Sequence, residues 1–523
     1  MNPVNVVPLE DLPNRLSEVP RRWAQASPLA PAIKAPGVDW NYQQLAAAID
    51  EVKRLLTQLQ VRPGDRVMVV GENCAAQVAL LFALAELDAW AVNVNARLSG
   101  SEIQNIRDHC AARRVLFTTA VSPEATAHAL RFDAQEHCLP LVGTLMASPL
   151  NVSCTVEPVA ALGSEQVAAL IYTTGTTGHP KGVMLTHRNL LFIAAVSGQL
   201  RGVKPDDLVY GVLPMSHVYG LASVMLGTFC AGACLLIEAR YSPQAMISAI
   251  RDQGLTMMQG VPAMYARLLE YDRQGFTPTG SALRFIYAGG SPLDQTLKEK
   301  VEALFGQPLH NGYGMTETSP TISQTRPEQP RHDTSVGIPI PGIEVRLVDA
   351  NGVDVAQGEP GELWVRGPNV MKGYYREPEL TAQTMRAGDW LNTGDVARQA
   401  PDGALFIVGR TKELIIRSGF NVYPVEVEAA INAHAAVTQS AVVGTKVADG
   451  NEEVIAFVEL APDQPLDESS LRSFLAQRLS PYKLPSQIVF MPTLPAAATG
   501  KILKGQLQQL AQRMSADFLT PGQ

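Results

Sequence analysis

The stretch Tyr172-Thr-Thr-Gly-Thr-Thr-Gly-His-Pro-Lys-Gly182 decides how the rest of the chain reads. It gathers four threonines and three glycines around a single lysine, Lys181. Glycines let backbone N–H groups approach a polyanion, hydroxyls add donors, and the ammonium group adds charge. The apolar run from Val167 to Tyr172 predicts a buried strand, and the residues from Leu185 onward predict the start of a helix. The polar stretch between them reads as a turn that grips phosphate between a strand and a helix. It is not a Walker A loop, which needs glycine at the fifth position after Gly175, where this chain has Pro180.

Strand and helix patterns alternate around it from residue 40 to 320. Strands are expected at Arg66–Gly71, Trp90–Asn95 and Val115–Thr118, and helices at Ala75–Glu86 and Ser101–Cys110. Such repeats imply a parallel sheet with helices on its faces. From Val336 to Val408 the texture changes to short β runs broken by Gly and Pro, which predicts a small, mostly antiparallel, barrel-like β unit. Gly409-Arg-Thr-Lys-Glu413 then marks a boundary, followed by a compact α+β pattern with a helix from Pro424 and strands at Ser440–Val443 and Val454–Leu460. The expected fold is α/β. A large N-terminal domain of parallel α/β sheets spans 1–410 and includes the β unit at 336–408, and a smaller, mobile α+β domain spans 411–523.

The 523 residues are 46% hydrophobic and 18% charged, which is a globular composition with a large core. A net charge of −8 argues against a nucleic-acid partner, and no Lys/Arg run suits an anionic membrane. The six cysteines (74, 110, 138, 154, 230 and 234) form no CxxC pair and stand beside no His cluster, so they read as reduced and not as metal ligands. Residues 1–11 lack the basic and apolar regions of a signal peptide. Leu208 to Ile237 contains no Asp, Glu, Lys or Arg, but Pro214, Ser216, His217 and several glycines interrupt it. It is expected to divide into a strand, a loop, a buried helix and a second strand, with no integral membrane segment. A cytoplasmic location follows as the expectation, and the oligomeric state is not legible.

Five further motifs follow the first in order: Leu213-Pro-Met-Ser-His-Val-Tyr-Gly220, Asn311-Gly-Tyr-Gly-Met-Thr-Glu317, Asn392-Thr-Gly-Asp395, Gly409-Arg-Thr-Lys-Glu-Leu414 with Gly419-Phe-Asn-Val-Tyr-Pro424, and Ala498-Thr-Gly-Lys501. Together they resemble the adenylate-forming superfamily of acyl-CoA synthetases, peptide-synthetase adenylation domains and beetle luciferases, and the body resembles its 4-coumarate and fatty-acyl-CoA ligase branches about equally. The resemblance implies a two-step reaction. A carboxylate attacks the α-phosphate of ATP and expels pyrophosphate, and the acyl-adenylate then passes its acyl group to CoA. That chemistry needs phosphate donors, Mg²⁺, an adenosine cradle and a cation at the departing charge.

By this resemblance, Thr173, Thr174, Gly175, Thr176, Thr177, Gly178 and Lys181 hold the β- and γ-phosphates. Thr316 touches the α-phosphate and Glu317 holds Mg²⁺. Asn311, Gly312, Tyr313 and Gly314 cradle adenine, with the Tyr313 ring offering a stacking face. Asp395 accepts from the ribose hydroxyls with Arg410 as a second contact, and Gly290 and Ser291 complete the nucleotide site. Lys501 steadies the charge that develops during adenylation. Rotation about Lys412 then withdraws it and opens a pantetheine tunnel mouthed by Ser418, Gly419 and Phe420. Lys501, Thr316, Glu317 and Lys181 are thus the catalytic candidates.

His217, Tyr219, Tyr287, Gly289 and Thr321 are expected to build the acid pocket. No Arg or Lys in these segments pairs with a second carboxylate, and no Asp suits an ammonium group. That favours an apolar acid, either aromatic (benzoate or hydroxycinnamate type) or medium-to-long-chain fatty. Loading of an acyl carrier protein is the alternative for the second step, and a luciferase-like oxygenase or a nucleotide-binding protein without activity are the remoter readings.

Overall fold

The computed structural model describes residues 8–174, 180–272, 278, 280–417, 420–446, 452–462, 464–497 and 501–518. Among them, two large sheets carry most of the chain. An eight-stranded sheet has a parallel centre, in which Arg66–Gly71 lies between Trp90–Asn95 and Arg114–Phe117, and Trp90–Asn95 also pairs with Val167–Thr174. A nine-stranded sheet has its own parallel centre running from Pro31–Ala35 through Cys234–Ile237, Leu208–Gly211, Met257–Gly260 and Phe285–Ala288 to Leu309–Gly314. Strands buried on both faces need continuous apolar runs, and all six residues of Arg66–Gly71 are buried. The Ala75–Glu86 helix is apolar all round because nearly every side chain it carries is buried.

The expected strand–turn–helix around the threonine-rich stretch is corrected. Val167–Thr174 and Pro180–Thr186 are antiparallel neighbours, with Thr173 opposite Lys181, so the stretch joins two strands of one hairpin. Leu185 belongs to the second strand, and the helix begins only at His187. Its start is fixed by a capping box: the Asn189 amide donates to the Thr186 hydroxyl at 3.2 Å, and the Thr186 amide donates to the Asn189 side-chain oxygen at 2.8 Å.

The charge-free segment divides as expected. Leu208–Gly211 and Cys234–Ile237 are parallel neighbours, and the stretch between them holds a π-helical segment, Tyr219–Leu226, running into Gly227–Cys230. No helix among the described residues is long and apolar enough to cross a membrane.

Glu344–Val348, Gly361–Arg366, Met385–Arg386, Trp390–Gln399 and Leu405–Arg410 form a five-stranded antiparallel sheet. Two short strands from the same region leave it. Ile338–Pro339 pairs with Thr321–Gln324 of the nine-stranded sheet, and Gly373–Tyr374 pairs with Pro180–Thr186 of the eight-stranded one. The smaller C-terminal domain carries the sheet Val437–Lys446, Glu452–Leu460, Gln487–Met491 over its own apolar clusters, with the Pro424–Asn432 and Glu468–Ala476 helices.

Asn189 also donates to the carbonyls of Pro368 at 2.7 Å and Val370 at 2.9 Å. Asn189→Ala strands those carbonyls and removes half of the cap, so a loss of about 2–3 kcal/mol is expected in urea unfolding, against about 1 kcal/mol for Thr186→Ala.

Candidate active site

The hairpin places Lys181 beside Tyr374. The ammonium nitrogen lies 5.6 Å from the ring centroid, and the Tyr374 hydroxyl donates to a Glu317 carboxylate oxygen at 2.7 Å. Thr316 and Glu317 sit buried in the short turn Thr316–Thr318. The segment 368–375 ties these parts together. The Met371 amide donates to the Glu317 carbonyl at 2.9 Å, that of Lys372 to Met184 at 3.0 Å and that of Tyr375 to Gly182 at 2.7 Å. A buried carboxylate of this kind suits Mg²⁺, which keeps waters and takes one or two carboxylates plus substrate phosphate oxygens. Gly175, Thr176, Thr177 and Gly178 lie outside the described residues, and Thr174 is described only as the end of its strand.

Asp395 and Arg410 face each other across neighbouring strands, and the guanidinium Nε meets the carboxylate at 2.8 Å. The other carboxylate oxygen accepts from the Tyr313 hydroxyl. Burial and the Asp395 charge both push the Tyr313 phenol well above its ordinary pKa, so it stays a donor. Asn311 is the residue expected to contact the adenine edge. It is buried, its amide donates to the carbonyls of Thr334 and Ser335 at 3.3 and 3.2 Å, and its oxygen accepts from the Gly312 amide at 2.9 Å. Gly312 and Gly314 are set by packing, because a Cβ on the first would fall on the Tyr287 hydroxyl and a Cβ on the second on the Pro320 carbonyl.

Lys501, far along the chain, feels the charges of this cluster. It keeps much of its surface open to solvent, but enclosure of its ammonium group lowers its pKa, with the positive charge of Arg410 adding to the effect. The charges of Glu413 and Asp395 oppose that shift. His217 also feels this cation. Burial first, and then Lys501, bring its pKa down to about 4, so the imidazole is neutral near pH 7. Lys412 is exposed in the turn Thr411–Glu413. Phe420 is exposed and stacks on Tyr482 with 4.6 Å between centroids, whereas Ser418 and Gly419 lie outside the described residues.

On the acid side, Tyr219 and Tyr287 meet edge to face at 6.4 Å, and a Cβ on Gly289 would touch both rings. Gly290 is exposed with φ +80° and Ser291 is half-buried beside it. Thr321 is buried, and its hydroxyl lies 3.3 Å from that of Ser197 and 3.4 Å from that of Ser223.

Residues 20–375 match the AMP-binding enzyme family, and residues 426–501 match the AMP-binding enzyme C-terminal domain. The chain belongs to the AMP-binding enzyme family. It is 33% identical to a feruloyl-CoA synthase from Amycolatopsis sp over 498 residues, which cover 94% of this chain and 98% of that one. It is 32% identical to a long-chain-fatty-acid–CoA ligase from Escherichia coli O157:H7, over 87% of each chain. Among solved structures, an anthranilate CoA ligase in complex with anthranoyl-AMP superposes with a TM-score of 0.86 at 25% identity, covering 98% of this chain and all of that one.

Two parts of the site escaped the sequence reading. Tyr374 could have been found from Gly367-Pro-Asn-Val-Met-Lys-Gly-Tyr-Tyr375, a glycine-bounded polar run between strands, whereas Arg201, buried behind Tyr287, carries no local signal. Tyr374→Phe leaves the ring beside Lys181 but takes a hydrogen bond from a buried carboxylate, so a loss of about 1–3 kcal/mol in thermal or urea unfolding is expected. Gly312→Ala forces the Tyr287 hydroxyl aside and should cost about 1–3 kcal/mol by the same measurement.

Proposed function

We propose that this protein is an ATP-dependent acyl-CoA ligase that activates an apolar-bodied carboxylic acid, aromatic rather than aliphatic, as its adenylate and passes the acyl group to CoA. What supports this reading is the Asp395–Arg410–Tyr313 cluster, together with the charges of Arg410 and Asp395 that act on Lys501. A lysine that shares its surroundings with another cation, Arg410, is suited to neutralise charge that arises between acid and nucleotide.

In the first step a carboxylate oxygen of the acid bonds to the α-phosphorus of ATP while the bond to the bridging oxygen breaks, and pyrophosphate leaves with that electron pair. Lys181 and the threonine-rich turn hold the β- and γ-phosphates, Thr316 the α-phosphate and Asp395 the ribose. Glu317 would hold Mg²⁺, which supplies charge neutralisation on the phosphates. Lys501 balances the negative charge where the carboxylate and α-phosphate meet. In the second step, rotation of residues 411–523 about Lys412 removes Lys501 and brings the tunnel at Ser418, Gly419 and Phe420 to the adenylate. A CoA thiolate then attacks the acyl carbon and AMP departs. His217, neutral at working pH, acts as a wall and not as an acid.

The two tyrosine rings around Gly289 favour a flat acid over a flexible chain. The similar identity to ligases named for feruloyl and for long-chain fatty acids makes a chemical test necessary.

Mass spectrometry of products from the protein with ATP, Mg²⁺, CoA and a panel of benzoic, cinnamic and fatty acids should show acyl-CoA with aryl acids first. AMP and pyrophosphate without acyl-CoA on any acid would move the acceptor to a carrier protein. Lys501→Ala should lower adenylation about a hundredfold or more while leaving thioester formation from supplied acyl-adenylate largely intact. Equal loss in both half-reactions removes the role given to Lys501. Because its pKa lies below that of a free lysine, adenylation should fall on the alkaline side before thioester formation does, and Lys501→Arg should move that limb to higher pH. No limb from His217 is expected near pH 6.5, since its proton is lost near pH 4.

A further inference from the structure

Arg201 closes the C-terminal end of the His187–Leu200 helix and is 2% exposed, among the largest fully buried side chains of the protein. Its guanidinium lies over the Tyr287 ring, with the central carbon 4.4 Å from the centroid. It ends a column of stacked rings in which Tyr287 lies 6.1 Å from Phe285, and Phe285 lies 5.0 Å from His310. One terminal nitrogen donates to the Gln259 side-chain oxygen at 2.7 Å. The Nε–H has no hydrogen-bond partner among the described residues, and no carboxylate there forms an ion pair with the group. His310, the titratable ring at the far end of the column, is neutral near pH 7, brought down to about 4 by burial and by Lys298.

A buried guanidinium with no anion costs several kcal/mol unless something else satisfies it. The helix C-terminus, the Tyr287 ring and a side-chain hydrogen bond with Tyr287 offset part of that cost. The Nε–H itself is still left without a partner among the described residues. A second orphan stands on the same wall: the Tyr219 hydroxyl is also buried without a partner, and Arg201 acts on its phenol. Two unused donors thus accompany the two rings expected to form the acid pocket.

Resting on the ligase reading above, we infer that Arg201 is the specificity residue for the far end of the acid, and that the acid carries an oxygen acceptor there, phenolic or carboxylate, which takes the Arg201 Nε–H and the Tyr219 hydroxyl. This also reopens the dicarboxylic acids, which had been set aside because no Arg or Lys occurs in the pocket motifs. Arg201 enters from a helix end outside all of them. A site built to bond a distal oxygen rejects the analogue that lacks it, because its buried donors are then left unpaired.

The test compares acids of one shape on the full-length protein: cinnamate, 4-hydroxycinnamate and 4-carboxycinnamate, with dodecanoate and dodecanedioate as the aliphatic pair. Two readouts are taken, kcat/KM for acyl-CoA formation and the rise in Tm caused by each acid without ATP. The wild type should favour an oxygen-bearing acid over its parent about ten- to a hundredfold, chiefly in KM, with a larger Tm rise. Whether the phenol or the carboxylate gives the larger effect identifies the acceptor. In Arg201→Met the ratio should fall toward one, and Arg201→Lys should restore part of it. Equal treatment of all acids by the wild type, absence of a Tm rise with every oxygen-bearing acid, or a uniform loss in Arg201→Met would overturn the inference. Ligation of none of the acids would overturn the ligase reading alone, because the Tm arm still decides Arg201.

Discussion

The site depends on one short segment, residues 368–375, whose backbone is shared among three structures. Its amides bond to Gly182 and Met184 of the phosphate hairpin and to the Glu317 carbonyl, and its carbonyls receive Asn189 from the following helix. Backbone hydrogen bonds have a narrow range of length and angle, so they set separations that side chains alone would leave loose. A strand that belongs by sequence to the antiparallel unit is thereby used to fix the distance between a lysine on one sheet and a carboxylate on a turn of the other.

That arrangement answers an electrostatic difficulty. Lys181 and Glu317 carry opposite charges, and in the proposed reaction both face one triphosphate; left to themselves they would gain by pairing with each other. Tyr374 stands between them, giving its π-face to the ammonium and its hydroxyl to the carboxylate. Each charge thus has a partner of its own in the same tyrosine. The Asp395 carboxylate is treated similarly, held from two sides by Arg410 and Tyr313 instead of turning into solvent. Groups already oriented need little rearrangement when a ligand arrives, which is how a preorganised site converts binding into rate.

Much of this was legible in the sequence, for identifiable reasons. The parallel strands announced themselves as apolar β-branched runs such as Val67–Val70, and the helices between them as longer apolar stretches. The hairpin around the threonine-rich turn was misread because Leu185 continues an apolar pattern that a strand and a helix share over short lengths. The capping pair Thr186 and Asn189, which decides the matter, was present but overlooked. Asn311 shows another limit. Its place in a motif suggested a ligand contact, but whether an amide faces a ligand or holds a neighbouring loop depends on carbonyls from Thr334 and Ser335. Arg201 was out of reach altogether, since nothing local distinguishes a buried arginine from the many that end helices in water.

Lys504 forms ion pairs with Glu428 on the Pro424–Asn432 helix at 2.8 Å and with Glu413 at 3.2 Å. Burial works against the Lys504 charge, and the two carboxylates more than restore it. Glu413 is the residue after Lys412, and Lys504 lies three residues beyond Lys501. The turn Thr411–Glu413, the Pro424–Asn432 helix and the segment that follows Lys501 are therefore tied together by one ammonium group. Under the rotation proposed above, such an arm has a single throw, with Lys501 leaving as Phe420 arrives. Acyl-adenylates are mixed anhydrides that water destroys, and an exchange made in one motion would limit the time in which that leak could occur.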